Sequence, residues 1–241
     1  MSDQHQELLR RLERESRAKQ ASFMDGISRK LGRQRPVEPP AQPFRGAPDY
    51  WASFALPLEE RARLFMDNFV SVGGHAMRVE GRDDAAAFIA GKAREMSARI
   101  VLRQDEDELQ ALGLEAALPD AQVLSWNTEE GESWRARAAE ADLGVVMADF
   151  AVAYTGSVTV LSDKRKGRSV SLLPTVLFVL LPVERLHTRL GEVLTQFDAI
   201  GREGLPAGIH FISGPSRSAD IENDLTIGVH GPGVVYAILI G

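Results

Sequence analysis

Within the run Ser213-Gly214-Pro215-Ser216-Arg217-Ser218, three serine hydroxyls and a guanidinium stand around a Gly-Pro corner. That mixture suits a small anion, because hydroxyls and unpaired backbone N–H groups donate and the guanidinium supplies charge. The apolar run before the corner reads as a strand. The polar residues after it read as a short helix, capped by Ser216 or Ser218, with Asp220 and Glu222 in its first turn. A second corner, His230-Gly231-Pro232-Gly233, leads into the apolar run VVYAILI. A neutral imidazole at His230 has the chemistry to take a proton from a bound hydroxy acid. The plainer account of each corner is structural: a well-capped turn and a solitary histidine.

Two other segments join these candidates. Thr155-Gly156-Ser157 is a tight turn whose glycine serves either a positive φ or the close approach of a ligand. Lys164-Arg165-Lys166-Gly167-Arg168 concentrates positive charge, and Arg168-Ser169 is placed to clamp an anion or to meet an acidic partner protein. The ligand class implied is a small carboxylate or a phosphate.

Some chemistries are excluded. The chain has no cysteine, so thiol nucleophiles, disulfides and Cys-ligated zinc or iron–sulfur clusters are not its own. His5, His75, His187, His210 and His230 are scattered, with no i, i+4 pair to hold a metal on a helix. No GxGxxG fingerprint, GxxxxGK[ST] loop or GxSxG elbow is present. No cofactor is expected in this chain.

The formal net charge of −6 is unevenly spread. Residues 1–35 hold nine Lys/Arg against five Asp/Glu, leaving 19 against 29 for the rest, so the body carries −10. An acidic body argues against nucleic acid as the main partner. The longest apolar run, Val234–Ile240, is far too short to span a bilayer, and the charged amino terminus lacks the apolar core of a secretion signal. A cytoplasmic location is expected.

The elements that must position the candidates follow from periodicity. Leu8, Leu9 and Leu12, then Phe23, Met24, Ile27 and Leu31, predict one or two amphipathic helices stopped at Gly32. Arg35–Pro57 contains six prolines with Phe44, Tyr50, Trp51 and Phe54 among them, which reads as an extended arm anchored by its rings. From Leu58 onward helical and strand patterns alternate as in parallel βαβ units: helix 58–72, strand 75–79, helix 83–97, strand 99–103, helix 105–112, strand 122–126 and helix 133–141. Closely spaced strands 144–148, 150–154 and 158–161 come next. The segment KRKGRSVSLLP reads as a loop, followed by strand 175–181, helix 183–200, strand 209–213, the short helix after Pro215 and strand 234–240. The unbroken apolar runs suit central strands covered on both faces. The fold class is a layered, Rossmann-like α/β domain.

Four blocks carry a family resemblance: FMDGISRKLGR (Phe23–Arg33), Ala139–Asp149, AYTGSVTVLSDKRKGRSVSLLP (Ala153–Pro174) and FISGPSRSADIENDLTIGVHGP (Phe211–Pro232). Together they resemble the lactate utilisation protein C family, the LUD-domain proteins, over nearly the whole chain after residue 20. The resemblance implies a fold like the sugar-phosphate isomerase and CoA-transferase superfamily. It divides the chain into residues 1–56, helices plus a proline-aromatic arm, and residues 57–241, the LUD-type domain. It also implies a part in oxidising L-lactate to pyruvate beside partner proteins that carry iron–sulfur clusters. One departure stands out. The family usually places an acid before the Ser/Thr-Gly turn, whereas this chain has Tyr154, which speaks against covalent carboxylate chemistry there.

Three functions follow as alternatives. The first is a non-redox component of a lactate-oxidising system. The second is a free-standing CoA-transferase-like or sugar-phosphate-binding enzyme, whose glycine corners and Arg217 would hold a phosphate. The third is an assembly module that docks through the arm.

Overall fold

The computed structural model describes residues 3–35, 38, 54–127, 133–219 and 225–241. Two units are distinguished, Met1–Pro48 and Asp49–Gly241. The arm expected over Arg35–Pro57 falls mostly outside the described residues, as do Asp220 and Glu222.

In the first unit the predicted helical pattern forms one element, α1 (Asp3–Lys30). Arg29 and Lys30 in its last turn complement the helix dipole. Gly32, with φ of +63°, takes the left-handed conformation that ends it. Leu8, Leu9, Leu12, Phe23, Met24 and Ile27 are exposed along α1.

The second unit alternates α2 (Leu58–Ser71), β1 (His75–Val79), α3 (Arg82–Glu95), β2 (Ile100–Arg103), α4 (Asp107–Gln110), α5 (Leu114–Ala117), β3 (Gln122–Ser125), α6 (Trp134–Glu140) and β4 (Leu143–Met147). There follow β5 (Phe150–Val152), β6 (Ser157–Ser162), α7 (Arg168–Leu172), β7 (Val176–Pro182), β8 (Leu186–His187) and α8 (Leu190–Ile200). The unit closes with β9 (Gly208–Ile212), β10 (Arg217–Ser218), β11 (Thr226–Ile227) and β12 (Val234–Ile240).

Six strands form one sheet in the order β1-β12-β7-β4-β2-β3, every neighbouring pair parallel. Its central strands are the near-continuous apolar runs: β4 is buried at every residue, and β7 at all but Pro182. One face packs Phe178, Leu180, Val145 and Ile238 against Ile89 of α3 and Leu114 of α5. The other packs Leu177, Val179 and Leu239 against Phe65 and Phe69 of α2 and Val158 and Val160 of β6. Both faces are therefore covered, as parallel sheets require.

A second sheet, β8-β5-β6-β9, lies on that latter side. Its outer face is closed by Val193 and Phe197 of α8 packed against Val152. The α/β architecture expected from the sequence is therefore present, with this four-stranded sheet as an added layer.

Three local expectations are corrected. Residues 183–200 are not one helix: a 3-10 turn (Val183–Arg185) and β8 precede α8. The cause is tertiary. Leu186 pairs with Ala151, and Arg185 holds the Ala148 carbonyl and Glu108, and those partners outweigh helical periodicity. The KRKGRSVSLLP segment is not wholly a loop, since it contains α7. Gly167, just before α7, lies against the Trp126 ring so closely that a Cβ would fall 2.1 Å from it. Finally, the described residues directly after Pro215, 216–219, hold no helix. Arg217 and Ser218 form β10, which pairs antiparallel with β11.

Candidate functional site

The corner residues assemble around Ser216. Its N–H donates to the Pro232 carbonyl at 2.9 Å and its own carbonyl accepts from Gly228 N–H at 2.9 Å. Its Oγ accepts from the His230 N–H at 3.3 Å. Gly231 lies alongside, where a Cβ would come within 3.3 Å of Ser216 Cβ. The N–H groups of Ser216 and His230 thus have partners inside the corner, and the Ser216 hydroxyl ties the two strands' flanks together. Arg217 is exposed on β10. The His230 imidazole is exposed and makes no hydrogen bond among the described residues.

Ser213, Gly214 and Pro215 join this corner to the end of α2. Gly214 has φ of +87°, and a Cβ there would lie 3.0 Å from Val72 Cγ2. Pro215 packs beside Gly73. Ser213 Oγ lies 2.6 Å from Ser157 Oγ, so two candidates far apart in sequence meet where β6 begins and β9 has just ended.

The Thr155-Gly156 turn has a structural task. Gly156 has φ of +55°, and a Cβ would sit 2.7 Å from Phe69 N. The Asn68 amide of α2 donates to the carbonyls of Ala153 at 2.9 Å and Tyr154 at 3.1 Å. The turn is thereby pinned to the helix. Tyr154 is exposed, 5.9 Å from the Arg189 guanidinium, which stacks on Phe54 at 4.3 Å. No acid occupies the position where the family resemblance leads one to expect it.

The basic loop finds acidic counter-charge within the chain. Lys166 Nζ lies 2.6 Å from Asp149 Oδ1 and 3.3 Å from Glu106 Oε1. Arg165 bonds Asp105 at 3.0 Å and Asp107 at 3.2 Å. Burial, outweighing the attraction of Lys166, pushes the Glu106 carboxyl above its ordinary range. The residues after β2 and β4 bring Glu106 and Asp149 to the carboxyl ends of neighbouring strands. From β2 the chain goes outward to β3, and from β4 it goes the other way to β7. That reversal is where open α/β sheets gather ligands. Gln104, fully buried there, has neither side-chain polar atom hydrogen-bonded among the described residues.

Arg168, predicted as an anion clamp, gains a neighbour that sequence reasoning passed over. His210 of β9 stands between Ser162 Oγ, 3.4 Å from Nε2, and Ser171 Oγ, 3.5 Å from Nδ1. Burial chiefly, and the Arg168 charge next, push its imidazole below the ordinary range. Arg168 itself is exposed, Ser169 is half-buried, and Ser171 is buried. Alternation along GIHFI places His210 opposite Ile209 and Phe211, but only the β6–β9 register reveals Ser162 as its neighbour.

A family model described as the LUD domain matches residues 62–240. A protein of Halalkalibacterium halodurans called lactate utilization protein C is 33% identical over 214 residues, covering 88% of this chain and 93% of the relative. A protein of the same name from Shouchella clausii is 32% identical with the same coverages. Among solved structures, a DUF162 family protein of Deinococcus radiodurans is similar with a TM-score of 0.57 at 20% identity, covering 77% of this chain and 99% of that one. That likeness supports the α/β fold.

Proposed function

The chain belongs to the LUD domain family, and we propose that it serves the utilisation of L-lactate as a cytoplasmic, non-redox component working beside proteins that carry iron–sulfur clusters. The observation carrying this reading is the alignment with proteins called lactate utilization protein C, at 33% identity over 93% of the relative's length. The absence of any cysteine from the sequence supports the division of labour, because thiolate-held clusters must then reside on other chains. Among the described residues no helix is long and apolar enough to cross a membrane. Tyr154, in place of an acid, removes support for a CoA-transferase-like carboxylate mechanism.

Deleting the gene should abolish growth on L-lactate, with growth on pyruvate preserved. The purified chain alone should not oxidise lactate with an artificial acceptor, whereas the assembly co-purified from lactate-grown cells should. Undiminished growth on lactate after a clean deletion, with no second copy in the genome, overturns the reading.

A further inference from the structure

We propose that Arg168, His210 and Ser162 form the seat of a small 2-hydroxycarboxylate. The choice of L-lactate as its member rests on the function proposed above, while the place of the seat rests on the contacts of His210 with Ser162 and Ser171.

The antiparallel register sets Val160 opposite His210 and Ser162 opposite Gly208. Residues 160, 162, 208 and 210 consequently share one face of the second sheet. The preceding strand residue Val160 is in the main core, whereas Ser162 and His210 lie toward α7, whose Ser171 reaches the imidazole.

The surroundings of the ring favour one tautomer. Ser171 Oγ donates its only proton to the Arg168 carbonyl at 3.1 Å, so toward His210 it can only accept. The seat uses the tautomer that suits this acceptor, with the imidazole proton on Nδ1 and a lone pair on Nε2. Both hydroxyls stand off from the ring, Ser162 Oγ at 3.4 Å and Ser171 Oγ at 3.5 Å, longer than ordinary hydrogen bonds. Nε2 is left able to accept from a ligand hydroxyl.

Gly208 keeps a side chain out of the seat. A Cβ there would lie 3.1 Å from His210 Nε2 and 3.4 Å from Ser162 Oγ. Any side chain at this position would stand in front of both acceptor and hydroxyl.

Arg168 provides the charge. Nearby cations are matched, Lys166 by Asp149 and Glu106, Arg165 by Asp105 and Asp107. Arg168 has no ion pair among the described residues, and its carbonyl accepts from Ser171 Oγ, the hydroxyl that lies 3.5 Å from His210 Nδ1. A carboxylate bound to Arg168 would carry its 2-hydroxyl one carbon away. That hydroxyl would donate to Nε2 and accept from Ser162 Oγ. The proton-accepting chemistry anticipated for His230 thus passes to His210, whose ring is kept neutral by its surroundings.

The test is calorimetric titration of the purified full-length chain with L-lactate and with propionate, which has the same carbon chain without the hydroxyl. Saturable binding of lactate is expected, with propionate weaker by roughly tenfold or more. Arg168→Gln should weaken lactate by at least about tenfold, and Gly208→Val should remove detectable binding. Arg168 is exposed, so its variant is expected to fold, and circular dichroism checks both. Lactate binding that is unaltered in both variants overturns the seat, as does a wild-type chain that binds no lactate. The growth assay on the deletion strain is read separately. A strain that needs the gene for lactate growth, while its product binds no lactate, sinks the seat and spares the function. Binding lost in both variants, with growth unaffected by deletion, supports the seat and sinks the function.

Discussion

Lys166 places its ammonium 2.6 Å from Asp149 Oδ1, with side chains only 10% and 20% exposed. Asp149 Oδ2 meanwhile accepts the Leu161 N–H at 2.7 Å, so one carboxylate joins the basic loop to β6. Lys166→Met would leave Asp149 and Glu106 facing each other without their shared cation. A loss of about 3–5 kcal/mol in urea unfolding is expected, as for other buried pairs deprived of one member. Asp149→Asn should cost less, because Lys166 keeps Glu106 and the amide oxygen can still accept from Leu161. Equal losses in the two variants would contradict this account.

The same cluster gives a pH dependence. The Glu106 carboxyl is raised above its ordinary value of 4.5 by burial first, with Asp149 adding repulsion and Lys166 opposing. Between 4.5 and the raised folded value, the native state holds more protons at this site than the unfolded chain does. Stability contributed here therefore falls as pH rises through that window, and the penalty is complete above it. Glu106→Gln should flatten this part of the stability–pH curve and leave the protein no less stable at neutral pH. Urea midpoints measured across the window, for wild type and variant, check it; identical slopes would count against the assignment.

Much of the fold was legible because β4, β7 and β12 are apolar at successive residues, a pattern that suits central parallel strands covered on both faces. The segments misread are those where a tertiary partner decides. Leu186 is drawn into strand pairing by Ala151, and Ser216 into the hairpin by Pro232 and His230; neither partner is near in sequence. The candidate site was half legible. Arg168 announced itself by charge, but His210 looks like any polar residue in a strand until Ser162, 48 positions earlier, is placed beside it. Likewise the acids that neutralise Lys166 are invisible in a local reading, since charge shows in sequence and pairing does not.

Gly156 tests whether the Thr155-Gly156-Ser157 turn is structural. Its φ is +55° and a Cβ would lie 2.7 Å from Phe69 N and 2.8 Å from Asn68 C. Gly156→Ala combines left-handed strain with overpacking against helix backbone, and a loss of roughly 2–4 kcal/mol is expected. Asn68→Ala, which deprives the Ala153 and Tyr154 carbonyls of their donor, should cost about 1–2 kcal/mol. Lactate affinity at the proposed seat should be unchanged in whichever of these variants folds. A Gly156→Ala protein as stable as wild type would mean that the turn lifts off α2 without cost.

His210 yields the opposite sign to Glu106. Burial first, then the Arg168 charge, lowers its imidazole below the ordinary value of 6.5. Between the lowered folded value and 6.5, the unfolded chain binds more protons at this site than the native state. Stability contributed here is therefore complete above 6.5 and declines as pH falls through the window. His210→Gln, whose amide can still donate to Ser171 and accept from Ser162, should remove that decline while keeping the fold. Urea midpoints from about pH 7 to about pH 5, the range in which histidines ordinarily titrate, should drop more steeply for wild type than for the variant. Bound lactate acts on the imidazole in two opposed ways: its carboxylate offsets the Arg168 charge that helps to lower it, while a hydroxyl donating to Nε2 favours the neutral ring. NMR titrations of His210 at saturating lactate and at saturating propionate separate the two, because both ligands carry the carboxylate: the value should lie lower with lactate, and equal values would show that no hydroxyl faces Nε2.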